Sequence, residues 1–151
     1  MLWSRRIPQV LEKSAALIPQ TTSANLFTIT GGKILLMALV GEVVVAIGAV
    51  ANATKIKFTS ITPAATVDLS GTNDITGDAA GTLYSIVGVL ATAMVATTGN
   101  LVVPANNLAY PGLILGPGTI KLDCAGSSVT GTVKWSMMYV PLEVASAVAS
   151  A

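Results

Sequence analysis

The residues best able to do chemistry in this 151-residue chain lie in one short stretch, VDLSGTNDITGDAAG, which sets Asp68, Asn73, Asp74 and Asp78 among glycines. Oxygen ligands this close together could hold a calcium ion, but their order departs from the EF-hand loop. The competing reading is a polar turn, in which Asp and Asn side chains serve nearby backbone N–H groups. That reading is preferred, and no bound metal is expected.

The usual catalytic partners are missing around it. The chain has no histidine, which removes the commonest general base and the commonest zinc ligand. No Ser-His or Cys-His couple can be assembled. The single Cys124 sits in the alternating run TIKLDC, reads as a small buried hydrophobe, and cannot form an intrachain disulfide. Gly31-Gly32-Lys33 lacks the spacing of a phosphate-binding loop. Neither an enzyme activity nor a cofactor is expected.

Binding residues are sparse as well. Trp135, Tyr139 and Tyr84 could form a platform for a ligand, but they lie on alternating segments, where core or interface packing is the better reading. Asn106, Asn107 and Tyr110 could contribute to a carbohydrate site, against the simpler reading of a solvated loop. Trp3, Arg5 and Arg6 form an anchor of the residue types preferred at interface hot spots.

Composition narrows the partners. Net charge is +1 and, apart from Arg5-Arg6, the basic residues are scattered, so no nucleic-acid footprint exists. Hydrophobic residues make up 52% and charged residues only 10%, against about 25% charged in ordinary soluble domains. The monomer has too few charges to cover its surface, and self-association or burial in a larger shell is expected. The twin arginine near the N-terminus is followed by IPQVLEKSAALIPQ, which is too interrupted for an export signal, so a reducing cytosolic origin is expected.

The elements that must position these residues read as strands. ANLFTIT, ATKIKFTSI, TVDLS, GTLYSIVGVL, GNLVVP, GTIKLDC and GTVKWSMMYVPL are short alternating or apolar runs separated by glycine-containing turns. They predict an all-β fold, a β-sandwich or jelly-roll-like domain, over residues 24–143. Residues 1–23 are expected to be an N-terminal arm with a short helix between Pro8 and Pro19, and residues 144–151 a C-terminal tail. On the last strand one face carries Val133, Trp135, Met137 and Tyr139. The other passes from Lys134 and Ser136 to Met138 and Val140, which predicts a subunit contact at its far end.

One segment admits a different solvent. From Ile34 to Ala53 only Glu42 and Asn52 are strongly polar, nearly the ~20 residues a spanning helix needs. Glu42 near the middle, glycines at 41 and 48 and the run Val43-Val44-Val45 favour strands instead. On this reading Gly31-Gly32 is a hairpin turn, Lys33 to Val40 a strand, Gly41-Glu42 a bend or bulge, and Val43 to Val50 the next strand.

The segments TGGKILLMALVGEV, ATKIKF with VDLS, GTLYSIVG, PGTIKLDCAGS and GTVKWSMMYVPLE, together covering about residues 29 to 143, resemble small virion proteins of tailed bacteriophages. The resemblance implies a head decoration (cement) protein on the capsid surface of the virion, forming trimers or other homo-oligomers. It would clamp adjacent subunits of the major capsid protein after expansion of the shell, on particles assembled in the host cytoplasm. Under the same resemblance Trp3, Arg5, Arg6, Met138 and Val140 become capsid or subunit contacts. A tail, fibre-base or head-spike component is the alternative virion role, and a small membrane protein spanning at 34–53 the alternative class.

Overall fold

Alternation is the clearest local rule in the chain. In GTIKLDC the side chains of Ile120, Leu122 and Cys124 are buried between the half-exposed Thr119, Lys121 and Asp123, and Val133, Trp135, Met137 and Tyr139 repeat the pattern in TVKWSMMY. A period of two is what a strand needs when one of its faces lies on a core. The computed structural model describes residues 7–97 and 112–151, and among them every regular element is a strand. In chain order these are β1 (Gln9–Leu17), β2 (Thr22–Thr30), β3 (Ile34–Val45), β4 (Ala53–Ser60), β5 (Ala65–Asp68), β6 (Asn73–Asp74), β7 (Leu83–Ser85), β8 (Val95–Thr97), β9 (Leu113–Leu115), β10 (Gly118–Cys124), β11 (Thr132–Pro141) and β12 (Ala147–Ser150).

The strands form two antiparallel sheets, as the all-β reading requires. The first has the order β1-β11-β3-β7-β8, with β9 also on β3; the second has the order β12-β2-β10-β4-β5, with β6 also on β4. The pairings are nested: β1 with β11, β2 with β10, β3 with β7, and β4 with β5. Both sheets turn one face to a common core, to which the first contributes Ile34, Leu39, Trp135 and Met137 and the second Phe27, Ile29, Ile56 and Ile120. Burial of these apolar side chains is the main stabilising term.

Three local expectations are corrected. The helix expected between Pro8 and Pro19 is strand β1, paired along its length with β11. A helix of about three turns with no partner is marginal, whereas a strand here satisfies its backbone on β11 and still sends Leu11 against the core. Val10 and Leu17, which the helix would have placed with Leu11 and Ile18 on one face, point outward at 65% and 51% exposure, while Ile18 is buried. The register slips between Lys13 and Ala16, so Ser14 and Ala15 form a bulge.

Gly31-Gly32 does not close a hairpin, because β2 and β3 belong to different sheets and the turn carries the chain from one to the other. Gly31 has φ 73°, and a Cβ there would lie 2.0 Å from the Ala145 carbonyl oxygen, so only glycine fits. The bend expected at Gly41-Glu42 is likewise not a boundary. β3 runs unbroken to Val45 and slips register instead between Leu36 and Ala38 and between Val43 and Val45. No helix among the described residues is long and apolar enough to cross a membrane. Residues 34–45 of the apolar stretch are β3, and β4 begins at Ala53.

Candidate functional site

The acidic stretch is divided among separate tasks. Asp68 ends β5 and takes Lys55 Nζ at 2.7 Å. Asp74, in β6, accepts backbone N–H groups from Thr76 at 3.0 Å and Asn52 at 3.3 Å, together with the Thr76 hydroxyl. Those bonds, the Thr76 hydroxyl foremost, hold the Asp74 carboxyl below its ordinary range. Asp78 accepts the Tyr84 hydroxyl at 2.6 Å. Among the described residues no three His, Cys, Asp or Glu side chains are grouped to hold a metal ion. Only Asp74 serves backbone N–H groups in the manner of a polar turn; Asp68 and Asp78 are taken up by the Lys55 and Tyr84 side chains.

The aromatic residues are packed inward. Trp135 and Tyr84 are both 2% exposed and lie face to face, with ring centroids 6.4 Å apart and planes at 25°. The indole lies over Gly41 on the neighbouring strand, where a Cβ would come within 2.9 Å of the ring. Burial, then the bond to Asp78, raises the Tyr84 phenol far above its ordinary value. Tyr139 is buried and donates to Gln9 Oε1 at 2.8 Å. Buried in this way, these three aromatic residues offer no platform to a ligand.

Asn52 is the polar residue that sequence reasoning passed over. It is fully buried, and its Oδ1 accepts Gly126 N at 3.0 Å and the Thr54 hydroxyl at 3.3 Å. The same hydroxyl lies 3.5 Å from Cys124 Sγ. Cys124 is buried among apolar neighbours, as the reading of it as a small hydrophobe expects, and burial raises its thiol. A polar residue at the end of an apolar run was the available signal, but its partner is 74 residues away.

The surface divides more informatively. On the outer face of the second sheet, Lys55 pairs with Asp68 and Lys57 with Asp123, each at 2.7 Å. Thr28, Thr119, Thr59 and Thr66 form a continuous row beside them. That face is polar and its ion pairs are closed within the chain.

The outer face of the first sheet differs. Val140, Leu35 and Ile114 stand opposite one another across β11, β3 and β9, and Val10, Met138 and Ala38 across β1, β11 and β3. Ile114 is 66% exposed and Met138 37%. A charged band follows, with Glu12 on β1 and with Lys134 facing Glu42 at 3.1 Å. Leu17, Val44 and Val45 then continue the apolar surface at the far end.

Met138 and Val140 are therefore brought to one face, where the sequence reading placed them. Trp3, Arg5, Arg6, Asn106, Asn107 and Tyr110 lie outside the described residues. An apolar recess of about 270 Å³, lined by Phe58, Val67, Leu69, Leu90, Leu113, Ile114 and Leu115, adjoins this face at Ile114. Comparison with protein-family models, with curated proteins and with solved structures finds no match.

Proposed function

We propose that this chain is a structural subunit of a bacteriophage particle, a decoration or cement protein that self-associates and binds the major capsid shell. The observation that carries this reading is the outer face of the β1-β11-β3 sheet, where Met138, Val10 and Ile114, with the half-buried Val140, leave an apolar surface facing away from the core. Apolar patches of this kind mark surfaces that act through contact area. We further read the fold as a jelly roll. Nested pairing of first strand with last and second with penultimate, on alternating sheets, is the connectivity of an antiparallel ribbon rolled into two layers, if β12 is taken as an addition at the edge. Such a protein stabilises a shell because it binds the assembled state in preference to the opened one.

The test is co-sedimentation of the full chain with expanded shells of the major capsid protein encoded in the same genome, followed by thermal opening of those shells. Bound protein and a raised opening temperature are expected. Deletion of residues 1–6, which carry Trp3, Arg5 and Arg6, should weaken binding while preserving the β-rich circular dichroism, since β1 begins only at Gln9. Protein left in the supernatant, with shells opening at an unchanged temperature, would refute the reading.

A further inference from the structure

We draw no further inference here: the strongest candidate, the apolar outer face of the β1-β11-β3 sheet together with the recess that adjoins it at Ile114, carries none, because nothing in the structure shows what covers it.

Discussion

At the scale of single residues the informative groups are the buried polar ones. Asn52 is fully buried and its side-chain oxygen accepts the Gly126 N–H. Asn52→Ala leaves that N–H without its partner and should cost roughly 1–3 kcal/mol, read from the denaturant midpoint. Asn25→Ala, on an exposed position of β2, should stay within about 0.5 kcal/mol. Equal costs at the two sites would show that the Asn52 bond contributes nothing specific. The burial of Cys124 and Trp135 was legible from alternation alone, since period two places them with their apolar neighbours. The role of Asn52 was not, because a hydrogen bond between residues 52 and 126 leaves no trace in either local segment.

At the scale of elements, β3 and β11 show how one strand dictates the sequence of another. Trp135 needs a neighbour without a side chain, and Gly41 opposite it is that neighbour. Gly41→Ala should therefore destabilise by about 1–3 kcal/mol through overpacking. The same substitution made on a Trp135→Phe background should cost less, because the smaller ring withdraws the atoms nearest the new methyl group. An identical cost in both backgrounds would separate the glycine from the indole. Read along the chain, Gly41 beside a carboxylate looks like a bend; read across the sheet it is a seat for a ring. β1 gives the same lesson, since a segment between two prolines has helical spacing on paper but finds its backbone partner in β11.

At the scale of the whole molecule, pH acts on pairs that tie distant segments together. The Asp123 carboxyl is pushed up by burial, but hydrogen bonds from Lys57 and Ser23 outweigh this and lower it. Glu143 is lowered by Lys33, and Asp74 by Thr76 and Asn52. A lowered folded value means that stability is fully present above the unfolded values, 3.8 for Asp and 4.5 for Glu, and is lost as pH falls through the folded ones. Tyr84, raised by burial, and Lys134, raised by Glu42, work the other way. Their contribution is present below the unfolded values of 10.0 and 10.5 and is lost as pH rises through the folded ones. Thermal midpoints measured from pH 2 to 12 should therefore form a plateau between about 5 and 9 that falls on both sides. A midpoint still rising below pH 4 would contradict the acid limb.

The sequence by itself determined the class of local structure. Alternating residues, glycine-punctuated turns and the scarcity of charge specify strands, a buried aromatic set and an apolar surplus, because side-chain period and composition are local quantities. Only the tertiary structure decided which strands pair, that β1 is a strand at all, that Gly31-Gly32 crosses between sheets, and that Met138 and Val140 share a face with Val10 and Ile114. These are contacts between segments far apart in the chain. Their energy comes from backbone partners and packed surfaces that exist only once both segments are in place.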